Sequence, residues 1–165
     1  MRIALQNIFR FIILVLIQVY VLDNIQFLGY ISPMIYVLFL LSLPVRLHSA
    51  IVMLIAFGLG LTIDMFNNTM GMHAFASVLI AFIRPAAIRV FTDFDQIYNP
   101  TPSFRTFGVR SYTKYVVILV LVHHTVLFFI ESFSFLNFSQ LIPKILLSSL
   151  VTILLILGIQ SLERK

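Results

Sequence analysis

The composition of this chain excludes a soluble globular domain. Of its 165 residues, 61% are hydrophobic and 10% are charged, whereas soluble domains carry about 25% charged residues. The net charge of +5 would suit nucleic acid, but in a membrane protein it is typical of basic cytoplasmic loops, so we expect no nucleic-acid partner. The sequence has no cysteine, which excludes disulfides and thiolate metal sites.

Six apolar stretches are long enough to cross a bilayer, because a hydrocarbon core of about 30 Å needs roughly 20 helical residues. The sequence predicts a single all-α transmembrane domain over residues 1–165. The first stretch follows basic residues, as in a signal peptide, but no small-residue cleavage site comes after it, so we expect an uncleaved helix. The predicted helices are residues 4–22, 27–43, 48–66, 71–90, 114–132 and 142–161.

Prolines refine the predicted helix ends. Pro33 and Pro143 fall in the first turns of the second and sixth helices, where a missing N–H costs little. Pro44 ends the second helix. Pro85 lies inside the fourth helix, so we expect a kink or an end there, with residues 86–94 lying along the inner surface as a short amphipathic piece.

The distribution of basic residues predicts the orientation. With both termini inside, ten of the eleven Lys and Arg residues fall on the inner side, and only Lys144 falls outside. This bias predicts an N-in/C-in topology with an even number of spans. The inner residues are Arg2, Arg10, Arg46, Arg84, Arg89, Arg105, Arg110, Lys114, Arg164 and Lys165.

The predicted inner loop, roughly residues 91–113, is the longest connection and mixes prolines, aromatic residues and charges. One interpretation is a loop that lies on the anionic inner leaflet, held by Arg105, Arg110 and Lys114. The other is a docking segment for a cytoplasmic partner. Arg84 and Arg89 join these three residues as candidate inner-face contacts with a partner or with lipid.

Two stripes of small and polar residues mark the third and fourth predicted helices. Residues four apart share a helical face, and small residues there let a second backbone approach closely. We therefore expect these helices to pack as a hairpin, which we take as the structural centre. The stripes are Ala56, Gly60 and Asp64 on the third helix, and His73, Ser77 and Ala81 on the fourth.

Asp64 is an ionisable residue in an apolar run and hence a functional candidate. It opposes the dipole at the end of its own helix, so it needs another reason to be there. The alternatives are a bond to the turn 67–69, a pair with His73, a contact with a partner, or an ion relay. A relay needs a second acidic residue at similar depth, and we expect none in the other spans.

Polar residues in the remaining spans predict packing rather than catalysis. His123 and His124 are adjacent and do not face each other on a helix. We expect one interhelical hydrogen bond and one ring that faces a cavity or lipid. Gln18, Ser148, Ser149 and Thr152 are interpreted as ordinary polar packing residues. No G-x-S-x-G, H-E-x-x-H or phosphate-binding glycine loop occurs, so we expect no enzyme, cofactor or metal.

Several motifs resemble those of the rod shape-determining protein MreD family. They are G-L-T-I-D-M-F, G-M-H-A-F and I-A-F-I-R-P within residues 58–85, and L-D-N-I-Q-F-L-G-Y-I-S-P-M-I-Y after the first helix. The resemblance implies a bundle similar to the substrate-binding component of energy-coupling-factor transporters. It also implies a bacterial inner-membrane component of the cell-elongation machinery, which organises lateral peptidoglycan synthesis without catalysing it. Its partners would be MreC, MreB, RodA and a class B penicillin-binding transpeptidase.

Two functional hypotheses follow. In the first, the chain is a scaffold whose rigid hairpin holds an outer surface for the transmembrane helix of MreC. In the second, it is the substrate-binding membrane subunit of a vitamin-type transporter, with an outward pocket. The predicted outer loops are short and nearly free of charged or aromatic ligand-binding groups, although residues 23–30 offer a lid. We therefore favour the scaffold.

Overall fold

The computed structural model describes residues 2–24, 31–92, 101–135 and 140–162. These residues form helices joined by turns and one irregular stretch. Helix α1 passes directly into a π-helical segment, Gln18–Leu22. The α-helices are α1 Arg2–Ile17, α2 Val37–Leu41, α3 Ser49–Asn67, α4 Met72–Phe91, α5 Phe104–Phe107, α6 Val109–Phe135 and α7 Leu141–Leu162.

Four helices in the described residues, α3, α4, α6 and α7, are long and apolar enough to cross a membrane. The chain is thus an all-α, multi-pass membrane protein. These four coincide with the third to sixth predicted spans. Helix α6 begins at Val109, earlier than the predicted residue 114, so Arg110 lies on a helix rather than in the predicted loop 91–113. Residues 93–100 of that loop lie outside the described residues.

The predicted second span, 27–43, is not one continuous helix. Residues 31–34 are irregular, residues 35–36 form a turn, and only Val37–Leu41 is α-helical. Pro33 lacks an N–H and disfavours the α conformation at Ser32, so a helix cannot pass through this point without loss. Residues 25–30, which include most of the predicted lid, lie outside the described residues.

Helix α4 does not end at Pro85 but continues to Phe91. The expectation that residues 86–94 form a separate surface piece is therefore wrong for residues 86–91. Ala87 and Ile88 are buried beyond the proline, so packing against the rest of the bundle offsets the hydrogen bond that Pro85 cannot donate.

The helices surround a buried central segment, residues 31–43. Helix α3 packs on α4, α4 on α6, and α6 on α7, while α1 contacts α2 and α3. Tyr36, Val37 and Leu41 of the central segment have no exposed surface. The irregular part of the chain therefore occupies the core, and regular helices separate it from lipid.

The bundle has two chemically different ends. At the Asp64 end, α3 and α6 finish while α4 and α7 begin, and the described acidic residues Asp23, Asp64 and Glu131 lie there. At the opposite Arg84 end, α3 and α6 begin and α4 approaches its last turns. The basic residues of the Arg84 end are Arg46, Arg84, Arg89, Arg105, Arg110 and Lys114.

Candidate functional site

Asp64 joins the two helices of the α3–α4 hairpin. Its Oδ1 accepts a hydrogen bond from the backbone N–H of His73 (3.1 Å), and its Oδ2 accepts one from Ala74 (2.9 Å). The Thr69 hydroxyl also donates to Oδ1. The N-cap residue of α4 is Gly71, which has no side chain, so Asp64 supplies the cap from the preceding helix. The carboxylate thus bonds to the turn and to the His73 backbone rather than to the His73 ring.

Gly60 lies where the backbones of the hairpin touch. A Cβ atom at this position would lie 2.4 Å from Ala74 Cα and 2.6 Å from His73 O. Only a residue without a side chain fits against that backbone. The structure buries all six stripe residues, Ala56, Gly60, Asp64, His73, Ser77 and Ala81.

Tyr36 links the hairpin to α6 through two histidines. Its Oη lies 2.9 Å from His73 Nδ1 and 2.9 Å from His123 Nε2, and both rings meet Tyr36 edge to face. A hydroxyl has one proton to donate, so Tyr36 donates to one neutral imidazole and accepts from the other. The three side chains therefore form a directed hydrogen-bond chain through the core.

The expectation that one ring of His123 and His124 faces a cavity or lipid is wrong, because both side chains are fully buried. His124 Nδ1 lies 2.9 Å from the Val120 carbonyl oxygen, and its Nε2 lies 3.1 Å from Thr152 Oγ1 on α7. Each histidine thus contacts a different element, since adjacent residues on a helix point about 100° apart.

Side chains from distant helices satisfy the backbone of the central segment near the Asp64 end. Gln18 accepts from the Ile35 N–H (2.8 Å) and donates to the Pro33 carbonyl (3.0 Å). On α7, Thr152 accepts from the Met34 N–H (3.0 Å), and Ser148 accepts from the Ser32 N–H (3.0 Å). Irregular backbone is tolerated at membrane depth only where protein satisfies it. These side chains therefore replace the hydrogen bonds that a helix would have made.

Near the Arg84 end, two further side chains bond to carbonyls of the central segment. Tyr115 donates to the Leu41 carbonyl at 3.1 Å. Arg84 donates to the Leu43 carbonyl, and its Nε donates to Tyr115 Oη at 3.0 Å. The sequence predicts Gln18 and Thr152 only as packing residues and indicates no role for Tyr115. A proline within a predicted span, with polar residues at similar depth in other spans, is the signal that could have found this network.

A polar cavity of about 300 Å³ opens at the Asp64 end. Its lining includes Asp23, His73, Glu131 and Lys144, and Lys144 Nζ lies 2.8 Å from Glu131 Oε2. Asp23 Oδ2 is buried without a hydrogen-bond partner among the described residues. The expectation that no other span provides an acidic residue near Asp64 is therefore wrong, because Glu131 of α6 lies at the same end of the bundle.

The basic residues predicted for the inner face divide into two classes. Arg84 is buried and lines a second cavity together with the exposed Arg89. Arg105, Arg110 and Lys114 are exposed. Arg105 lies on α5, whereas the other two lie on the first turns of α6. The structure thus brings Arg84 and Arg89 to one cavity and leaves the other three on the surface.

Neither a metal site among the described residues nor a similar known protein indicates a function for these sites. Within the part of the chain that the structure describes, no three His, Asp or Glu side chains are placed to hold a metal ion. Comparisons with family models, curated proteins and solved structures give no match to this chain. The resemblance to the MreD family therefore stays a prediction.

Proposed function

We propose that the chain is a non-catalytic scaffold of the bacterial inner membrane, of the kind that its resemblance to the MreD family implies. The observation that supports this best is how its buried polar groups are used. Gln18, Ser148 and Thr152 bond to the central segment, and Asp64 caps α4. Groups bonded to their own protein fix a shape, and a fixed shape is what a scaffold presents to partners.

The outer face of the hairpin is the surface we assign to the partner helix, which by the resemblance is that of MreC. Transmembrane helices associate by close packing rather than by a hydrophobic driving force, so a partner needs a rigid, shaped face. Asp64 and Gly60 provide that rigidity from inside the hairpin. The exposed side chains of this face are Leu54, Phe57, Leu61, Phe75 and Phe82. RodA, the class B transpeptidase and MreB complete the proposed assembly.

The proposed topology has six spans with both termini inside. Helix α1 with its π-helical continuation has 21 residues, or about 30 Å, which fits a first span. The central segment has six irregular or turn residues followed by one helical turn, which reach at most about 27 Å together and fit a discontinuous second span. The Arg84 end, rich in Arg and Lys, is assigned to the cytoplasm.

An affinity pull-down from native membranes in mild detergent, followed by mass spectrometry, tests the scaffold. We expect MreC, RodA and the transpeptidase to be recovered. Replacing Leu54 and Phe57 by alanine should reduce recovery of MreC while expression stays normal. The matched control replaces Leu150 and Leu154, which are also at least half exposed but lie on α7, and should recover MreC as the wild type does. Retained MreC in the hairpin variant, or equal loss in both, contradicts the assignment.

The polar cavity at the Asp64 end favours a second candidate, a substrate-binding subunit of a vitamin-type transporter. The cavity holds the buried, unpartnered Asp23 Oδ2 beside the Glu131–Lys144 pair. Its volume of about 300 Å³ lies at the lower end for ligand pockets. Recovery of an ATPase pair with a transmembrane coupling subunit in the same pull-down would favour this function and exclude the scaffold.

A further inference from the structure

Arg84 is a buried cation without a carboxylate partner among the described residues. Its side chain is 3% exposed, and its two hydrogen bonds go to neutral groups, the Tyr115 hydroxyl and the Leu43 carbonyl. The described acidic residues all lie at the opposite end of the bundle. A guanidinium has five N–H donors and a full charge, and a buried charge is costly unless an anion accompanies it. Among the described residues, no anion balances the charge of Arg84.

A cavity of about 360 Å³ adjoins Arg84. It lies between the turn 45–47, the start of α3 and the last turns of α4, and it falls within the size range of ligand pockets. Arg84 lines its buried part, and Arg89, which is exposed, lines its rim. The remaining wall is mostly apolar and includes Val45, Leu47, Val52 and Ile88.

The geometry points to a binding site for the phosphate of an anionic phospholipid. The guanidinium group of arginine binds two phosphate oxygens at once. A phosphate would therefore supply the negative charge that Arg84 lacks as a partner. The apolar wall suits the acyl chain of a phospholipid. A free anion would leave this apolar part of the cavity unfilled. Basic pockets between transmembrane helices are known to bind anionic headgroups in this way.

This site differs from general attraction to the leaflet. Arg105, Arg110 and Lys114 are exposed and would attract any anionic surface, with strong screening by salt. Arg84 is buried beside an apolar wall, where screening is weaker. A bound lipid would therefore be stoichiometric and would survive purification. The inference is independent of the scaffold proposal, because it uses only the contacts at the Arg84 end.

Native mass spectrometry of the detergent-purified protein tests the site. Dioleoylphosphatidylglycerol is compared with dioleoylphosphatidylcholine, which has the same acyl chains and no net charge. We expect one phosphatidylglycerol to bind in preference. Arg89→Gln should weaken this binding about fivefold, and Ser49→Phe should weaken it by narrowing the cavity. Lys114→Gln removes the same charge outside the cavity and should leave binding unchanged. Arg84→Gln is a poorer probe because Arg84 also bonds to Leu43.

Several results would overturn the proposal. Equal binding of the two lipids would show that charge is not recognised. Equal weakening by Arg89→Gln and Lys114→Gln would indicate attraction to the surface as a whole. Unchanged binding in Ser49→Phe would place the lipid elsewhere. Displacement of the lipid by millimolar inorganic phosphate would identify a site for a free anion instead. Arg89 is exposed, so its variant should fold even if Ser49→Phe does not.

Discussion

The α3–α4 hairpin and the central segment 31–43 are both buried, but they hold their backbones in opposite ways. The hairpin consists of two regular helices whose backbone bonds are internal, joined by Asp64 and by the close approach at Gly60. In the central segment the N–H groups of Ser32, Met34 and Ile35 instead donate to side chains of the π-helical segment and of α7. One region is self-sufficient, and the other depends on its neighbours.

This difference in backbone hydrogen bonding shows how polar residues in the bundle should be interpreted. In lipid, a backbone group without a partner costs several kcal/mol, so every break in a helix requires polar side chains elsewhere. Gln18 and Thr152 satisfy such a break, whereas Thr62, also polar, bonds only to the Gly58 carbonyl of its own helix. Polarity alone does not identify a functional residue here. The bond that the residue makes does.

The largest loss of stability is expected from Gly60→Leu, which adds a side chain where the backbones of α3 and α4 touch. The added side chain would meet backbone atoms of Ala74 and His73, which cannot move without separating the helices. We expect a loss of about 3 kcal/mol in the free energy of unfolding, measured by SDS titration in mixed micelles. Gly58→Leu is the control, because a Cβ atom there meets nothing within 4 Å. Equal losses would mean that the close approach does not hold the hairpin.

Gln18→Leu tests the dependence of the central segment on its neighbours. The change removes the acceptor for the Ile35 N–H and the donor to the Pro33 carbonyl, which leaves two buried backbone groups unsatisfied. We expect a loss of about 2 to 3 kcal/mol by the same titration. Thr62→Ala also deletes a side-chain bond, but one within its own helix, and should change stability little. A Gln18 variant as stable as Thr62→Ala would remove the distinction between the two regions.

Thr152→Val sharpens the comparison at a single amide. The substitution keeps the shape of the side chain and removes the hydroxyl that accepts from the Met34 N–H and also contacts His124 Nε2. We expect a loss of about 1 to 2 kcal/mol and faster hydrogen exchange at Met34, with the amides of α3 unchanged. Thr152→Ser keeps the hydroxyl and should retain slow exchange. Unchanged exchange in the valine variant would contradict the bond.

Asp64→Asn should have the smallest effect, because it perturbs only one end of a helix that otherwise supports itself. The amide keeps one acceptor but turns an N–H₂ group toward one of the two backbone donors that the carboxylate now binds. We expect a loss of about 1 kcal/mol, with increased exchange confined to the first turn of α4. Thr69→Val, which removes only the third bond to this carboxylate, should cost less. A loss spread through the bundle would mean that Asp64 does more than cap α4.

The sequence predicted the hairpin better than the central segment, for a physical reason. The length of an apolar stretch predicts a regular helix, and small residues spaced four apart predict the face on which it packs. Local pattern was therefore enough to predict α3, α4 and the burial of Gly60. The central segment is as apolar as a regular helix, so composition does not distinguish the two. Its hydrogen-bond partners on α7 are far away in the chain. The cap that Asp64 provides and the bridge that Tyr36 forms depend on which groups of other segments lie next to these side chains. The spacing of residues within one helix does not contain that information.

The hydrogen bonds from Ser32 to Ser148 and from Met34 to Thr152 join residues 116 and 118 positions apart. During synthesis, the segment that carries Ser32 and Met34 leaves the ribosome long before α7 exists. Until α7 inserts, these amides have no permanent acceptor. The insertion of α7 therefore completes the hydrogen bonding of the central segment. A chain truncated before α7 would lack the acceptors of both amides.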